Sequence, residues 1–135
     1  AEAHRLGMKV LLDWIANHTA RDARWVTEKP ASWYERDASG APAVPWDWTD
    51  TAKLNYAERE VWRAQGDAME FWVREHGVDG FRCDMAMLVP IEFWNETAQR
   101  LRRVKPDLFM LAEARRPTFS TGEPSTPAMR GRCTT

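Results

Sequence analysis

Three acids stand at the ends of short apolar runs: Asp13 in MKVLLDW (8–14), Asp84 in VDGFRCD (78–84) and Glu113 in LFMLAE (108–113). Carboxyl groups act as general acids, general bases or nucleophiles, according to how their surroundings set the pKa. Two of them about 5–5.5 Å apart serve as nucleophile and general acid in retaining glycoside hydrolysis. Mutual repulsion and burial then raise the pKa of one, which stays protonated as the acid while the other stays ionised. The spacing leaves a plainer alternative open, because strand-end Asp and Glu also cap loops and helices.

Alternation with period two puts Gly80, Arg82 and Asp84 on one face of a strand and Phe81 and Cys83 on the other. Arg82 beside Asp84 would hold that carboxylate ionised and oriented through charge-assisted hydrogen bonds. An ordinary structural ion pair has the same sequence signature. Cys83 then faces the helix-covered layer, where a small thiol is common core. Asn17 and His18 follow Asp13 in DWIANH, just past a strand end. There His18 is placed to donate a hydrogen bond to a bound hydroxyl. Asn17, with loop carbonyls and carboxylates, is placed to hold calcium, a hard ion taking about six to eight oxygens. The His and Cys spacings of a zinc site are absent from the sequence.

The elements that must position these residues follow from pattern. Residues 1–5 read as the end of a helix closed by Gly7, and the continuous apolar run 8–14 fits a strand buried on both faces. From Ile15 to Lys53 no period is sustained; the stretch holds Pro30, Pro42, Pro45, a DASG turn at 37–40, and Trp25, Trp33, Trp46 and Trp48. A loop of that length is functional or a small subdomain of its own. Helical pattern resumes near Tyr56, with Asn55 and Glu58 spaced as a capping box and Val61, Ala64, Ala68, Phe71 and Trp72 on one face. His76-Gly77 ends it, and 78–84 reads as a second strand. Pro90 suits the first turn of a helix whose stripe is Ile91, Trp94, Ala98 and Leu101, before Pro106 and a third strand at 108–113. Each crossover is long enough for parallel pairing, and in parallel α/β architectures ligands bind at the carboxyl ends of the strands. The three acids stand at that edge.

Composition bounds the rest. With 135 residues, 19 Lys+Arg against 20 Asp+Glu and a net charge of −1, the chain lacks the basic surface of a nucleic-acid protein. Hydrophobic content of 44% with 29% charged residues places it among globular sequences. No apolar run approaches the ~18 residues of a membrane span. Neither nucleic acid, membrane nor an organic cofactor is expected. Two cysteines, Cys83 and Cys133, are too few for a disulfide framework or a four-thiolate zinc site. Residues 115–135 hold no Leu, Ile or Val, which predicts a disordered extension or a non-native stretch produced by a frameshift near Ala114.

The blocks GMKVLLDWIANHT, GVDGFRCD and LFMLAE, in this order and with these separations, resemble successive conserved blocks of the α-amylase family of glycoside hydrolases (family 13). The segment KLNYAEREVWRAQGDAMEFWVREHGVDGFR is similar to the family's approach to the second block, so the likeness spans residues 1–114. It implies an α/β fold that is a partial (β/α)8 TIM barrel, about strands 3 to 5, with 15–55 as a short inserted loop subdomain after strand 3.

By the same resemblance Asp84 matches the catalytic nucleophile, Glu113 the general acid/base and Arg82 the arginine that orients the nucleophile. Asp13 and His18 match residues that support and line the subsite of the reacting sugar, and Asn17 matches a position that binds a structural calcium in many members. Lys53-Leu54-Asn55-Tyr56 is similar to a loop motif usually written with Asp, so Asn55 is a departure. The tryptophans of the inserted region become sugar-stacking platforms beside packing residues. The implied substrate is an α-glucan or malto-oligosaccharide, and the implied reaction is hydrolysis of α-glucosidic bonds by double displacement. Transglycosylation, isomerisation of the trehalose-synthase kind, and a non-catalytic carbohydrate-binding relative are the alternatives. The family's third carboxylate, in a later His-Asp block, has no counterpart here, and three strands stand where a closed barrel has eight. The sequence is therefore expected to be an internal fragment, inactive alone, with its location not legible.

Overall fold

The structure, a computed structural model, describes residues 2–113 of the 135. The stretch 115–135, including Cys133, lies outside the described residues. In chain order the elements are α1 (Glu2–Arg5), β1 (Leu11–Ile15), β2 (His18–Ala20), α2 (Arg24–Glu28), β3 (Thr51–Lys53), α3 (Arg59–His76), β4 (Gly80–Asp84), α4 (Ile91–Val104) and β5 (Phe109–Ala112).

β1, β4 and β5 form a parallel sheet in the order β1-β4-β5. Its register sets Asp13 opposite Arg82, Ile15 opposite Asp84, and Cys83 opposite Ala112. Asp13 is thus a mid-strand residue, level with Arg82, whereas Asp84 ends β4 and Glu113 follows β5 directly. The expected parity holds: Phe81 and Cys83 point into a core with Met69, Val73, Phe93 and Leu101, while Arg82 and Asp84 line the opposite, half-open face. β1 departs from the expectation of burial on both faces. By register Leu11, Ile15, Phe109 and Leu111 lie on the half-open face with Arg82 and Asp84, and they remain exposed.

The helices cover the Phe81 face with a rotation that the apolar pattern does not give. α3 starts at Arg59 and the capping box near Asn55 does not form. Asn55 is spent elsewhere: its Nδ2 donates to the Ser32 carbonyl at 2.9 Å and its Oδ1 accepts from the Ala57 N–H at 3.0 Å. The buried positions of α3 are Val61, Gln65, Gly66, Met69 and Val73, and Phe71 is 51% exposed. Gln65 is tolerated in the core because its Oε1 accepts from Trp14 Nε1 at 2.9 Å, which removes the penalty of an unpaired buried amide. In α4, Pro90 is the N-cap residue itself, and Phe93, Trp94, Thr97 and Leu101 are buried, whereas Ile91 is 63% exposed.

The aperiodic stretch is a subdomain. β2 and β3 pair antiparallel, with His18 opposite Lys53 and Ala20 opposite Thr51. Trp33, Tyr34, Ala52 and Leu54 make its small core against Val61 of α3, with Trp25 edge-on to Trp33 at 5.3 Å. Tyr56 welds subdomain to sheet: its hydroxyl donates to the Ala16 carbonyl at 2.7 Å, just beyond β1.

Candidate active site

The side chains singled out in the sequence converge on one guanidinium. Arg82 Nη1 donates to Asp13 Oδ1 at 2.9 Å and to Asp84 Oδ1 at 2.7 Å, and its Nη2 lies 2.8 Å from Glu113 Oε2. Three parallel strands bring these acids together: β1 supplies Asp13, β4 supplies Arg82 and Asp84, and the residue after β5 supplies Glu113. The expected Arg82–Asp84 pair is present, and Arg82 also holds the other two carboxylates, which the sequence reading did not anticipate.

Three carboxyl groups around one cation leave an excess of negative charge if all are ionised. A shared proton relieves it. Burial raises the Asp84 pKa above the usual carboxylate value, and a hydrogen bond with Glu113 raises it further, against the opposing pull of Arg82. A hydrogen bond between two carboxyl groups needs one of them to carry the proton that it donates. Cys83, on the other face of β4, is no competitor as a nucleophile, because burial pushes its thiol up to about 11.

The chain just after Asp84 closes the pair. Met85 adopts a left-handed conformation at φ 45° and ψ 41°, an uncommon backbone state for a residue with a side chain. That turn sends the Met85 N–H to Glu113 Oε2 at 3.3 Å and the Ala86 N–H to the Glu113 carbonyl at 3.0 Å. Glu113 N–H in turn donates to the Cys83 carbonyl at 2.9 Å. Trp94 Nε1 anchors the same turn on the Ala86 carbonyl at 3.0 Å. Nothing in the sequence marked Met85, because strained positions advertise themselves only when they carry Gly or Asn.

His18 lies at the start of β2, on the subdomain side of the site. Asn17 Nδ2 donates to its Nδ1 at 3.3 Å, which assigns the ring proton to Nε2 and makes that nitrogen a donor. Burial lowers the His18 pKa, opposed by the negative charge of Asp84 and Asp50, so the ring is within the electrostatic reach of the acid pair. Asn17 is buried, and its main-chain carbonyl accepts the Leu54 N–H at 3.1 Å. No three His, Cys, Asp or Glu side chains among the described residues converge as metal ligands.

A parallel sheet covered on one face by helices, with Asp84 and Glu113 at the carboxyl ends of β4 and β5, is a segment of a (β/α)8 barrel. The alpha-amylase from Lactobacillus plantarum superposes on it with a TM-score of 0.78 and 42% identity, over 83% of this chain and 26% of that one. The chain belongs to the alpha-amylase family: the profile of the alpha amylase catalytic domain matches residues 31–126. Alpha-amylase MalA of Haloarcula japonica is 39% identical over 101 residues, covering 70% of this chain and 15% of that protein. An alpha-1,4-glucan:maltose-1-phosphate maltosyltransferase from Salinibacter ruber is 34% identical over 119 residues, covering 83% of this chain and 18% of that protein. The chain spans 15% of the length of that MalA and 28% of the length of Alpha-amylase 3 of Dictyoglomus thermophilum, to which it is also similar.

Proposed function

We propose that this chain carries the nucleophile and the general acid/base of a retaining glycoside hydrolase acting on α-glucans or malto-oligosaccharides. The observation that carries the proposal is the meeting of Asp84 and Glu113 on Arg82 at the carboxyl edge of the sheet. In the first half-reaction the proton held between the two acids passes to Glu113 as the sugar binds, so that the Asp84 carboxylate, aimed by Arg82, attacks the anomeric carbon while Glu113 gives that proton to the departing glycosidic oxygen. In the second, Glu113 takes a proton from water, which displaces Asp84 from the sugar with a second inversion. Arg82 keeps Asp84 aimed and lends it positive charge, and the Met85 N–H steadies Glu113. Asp13 supports Arg82 from β1, and His18 Nε2 is the donor offered to a sugar hydroxyl.

The test is made in the full-length protein. Asp84→Asn and Glu113→Gln each lower turnover on maltopentaose by at least about 10³-fold, and the wild-type product keeps the α configuration by NMR. Turnover that survives Asp84→Asn overturns the assignment. Transglycosylation is the second reading, supported by the maltosyltransferase among the relatives. It shares the Asp84 half-reaction and replaces water with an acceptor hydroxyl, so product analysis on maltose and starch, which reads longer or rearranged oligosaccharides against released reducing sugar, separates the two. We assign no hydrolytic activity to the 135 residues in isolation, a reading supported by the exposed apolar side chains along β1 and β5. Starch hydrolysis by the isolated chain overturns it.

A further inference from the structure

Met85 is buried at φ 45° and ψ 41°, between Asp84 and the short turn Ala86–Leu88. The left-handed state brings a Cβ close to the following carbonyl oxygen, so a methionine does not adopt it unaided. It persists where surrounding contacts over-determine it. Those contacts fall on the next residue. The Ala86 carbonyl accepts the Trp94 indole N–H at 3.0 Å and the Val89 N–H at 3.3 Å, while the Ala86 N–H goes to the Glu113 carbonyl at 3.0 Å. The indole bond is buried, and the Trp94 ring is packed edge-on to Phe93 with centroids 4.9 Å apart. Breaking that bond would leave a buried donor unpaired, which opposes any movement of the turn. α4 therefore reaches back and pins the chain just past Asp84.

The pinned turn helps to decide where Glu113 stands. The registered pairs of β4 and β5 end at Cys83 and Ala112, one residue short of it. Beyond them, the Glu113 N–H donates to the Cys83 carbonyl at 2.9 Å, its carbonyl accepts from the Ala86 N–H, and its Oε2 accepts from the Met85 N–H at 3.3 Å. The last two of these bonds come from the turn that Trp94 holds. Asp84 is held from another side, in register with Ile15 of β1 and by Arg82 Nη1 at 2.7 Å. A shift of the turn therefore moves Glu113 more than Asp84. Proton transfer tolerates little of this, because a displacement of about 1 Å costs about 10²-fold in rate.

We propose that Trp94 is a positioning residue for the general acid/base: its indole N–H, through the Ala86 carbonyl, holds the Met85–Ala86 turn that places the Glu113 carboxyl for proton transfer. The inference rests on the reading of Glu113 as the acid/base. It gives a buried side chain of α4 a part in the chemical step.

The experiment compares two substrates in the full-length protein. With maltopentaose the departing glycosidic oxygen needs a proton; with α-maltosyl fluoride the leaving group departs as fluoride ion and needs none. In both, the Asp84 carboxylate bonds to the anomeric carbon as the bond to the leaving group breaks, and kcat/KM reads this step. Trp94→Phe keeps an aromatic ring and removes the N–H. It is expected to lower kcat/KM on maltopentaose about tenfold and to leave kcat/KM on α-maltosyl fluoride within about twofold. Glu113→Gln, run in parallel, shows the same split more deeply. Where Trp94→Phe does not fold, benzothienylalanine in place of Trp94 exchanges only the N–H for sulfur, and the same split is expected of it. A purely structural tryptophan gives equal losses on the two substrates, or none, and either result overturns the positioning role even if the Glu113→Gln split is present. Equal losses or no loss in Glu113→Gln overturn the acid/base reading, and the inference with it.

Discussion

Arg82 Nη1 stands 2.7 Å from Asp84 Oδ1, two residues along the same strand, and this is the contact about which the site is arranged. The same guanidinium meets Asp13 and Glu113, so removing it changes the aim of one carboxylate and the repulsion among three. Arg82→Gln in the full-length protein is expected to lower kcat on malto-oligosaccharides by on the order of 10²-fold or more, with a smaller change in KM. With the cation gone the acid pair holds its proton more tightly, so the acid limb of the pH–rate profile moves to higher pH. A steady-state profile from pH 4 to 8 reads both effects. An unmoved acid limb contradicts the role given to Arg82.

Asp84 is also a stability liability. Its raised pKa means that the folded state holds the proton more tightly than the unfolded chain, whose Asp titrates near pH ~3.9. The stability that this contributes is fully present below that value and is lost as pH rises through the higher folded pKa. Asp84→Asn keeps a hydrogen-bond donor beside Glu113 and removes the charge. It should raise the melting temperature at pH 7 relative to wild type, and the gain should shrink at pH 4. Circular dichroism melts at several pH values measure this, and a gain independent of pH would refute the argument.

The acid cluster was legible in sequence because each strand that bears it announces itself. VDGFRCD alternates cleanly, and period two alone puts Arg82 and Asp84 on one face and Phe81 and Cys83 in the core, where they lie. Asp13 was read as a strand-end acid, yet register with β4 makes it a mid-strand partner of Arg82, and register is a property of the pair of strands. The subdomain escaped pattern altogether. β2 and β3 are three residues each, too short for any periodic window, and their packing depends on Trp33 and Tyr34, which come from elsewhere in the chain. The face of α3 was misread for a different reason. Phe71 and Trp72 fit the apolar stripe, but the turn at Tyr56 and the Trp14–Gln65 hydrogen bond rotate the helix so that Gln65 and Gly66 face inward.

Gly80 supports a prediction about the sheet. A Cβ at this position would lie 1.9 Å from the Phe109 carbonyl oxygen and 2.8 Å from its carbonyl carbon. The obstacle is backbone, so no rotamer change relieves it, and β4 and β5 would have to separate at the base of the strand that carries Asp84. Gly80→Ala is expected to cost about 3 kcal/mol or to prevent folding, measured as a urea midpoint shift at constant m-value. Wild-type stability in this variant would show that the strands do not approach as described.

Asp79, which precedes β4, makes the opposite pH prediction to Asp84 from the other end of the strand. Its Oδ2 accepts from the Val10 N–H at 2.8 Å and from His4 Nε2 at 2.7 Å, and its Oδ1 faces Lys105 Nζ at 3.3 Å and Lys9 Nζ at 3.6 Å. The backbone N–H of Val10 first, and then His4, hold its carboxyl well below the usual carboxylate range. A depressed folded pKa contributes stability that is present above the unfolded value near pH ~3.9 and is lost as pH falls through the folded one. The Asp79 main chain reinforces the link, because its N–H donates to the Val10 carbonyl at 2.8 Å and its carbonyl accepts the Phe109 N–H at 2.9 Å. Asp79→Asn preserves an acceptor for Val10 and discards the attraction of His4, Lys9 and Lys105. Its melting temperature should fall below wild type at pH 7, and the deficit should narrow progressively as pH is lowered below about 4, where the unfolded chain takes up the proton that the folded Asp79 still refuses. Melts across pH 2.5–7 under one ionic strength give the answer, and a deficit that persists unchanged at pH 2.5 would mean that Asp79 acts by shape and not by charge.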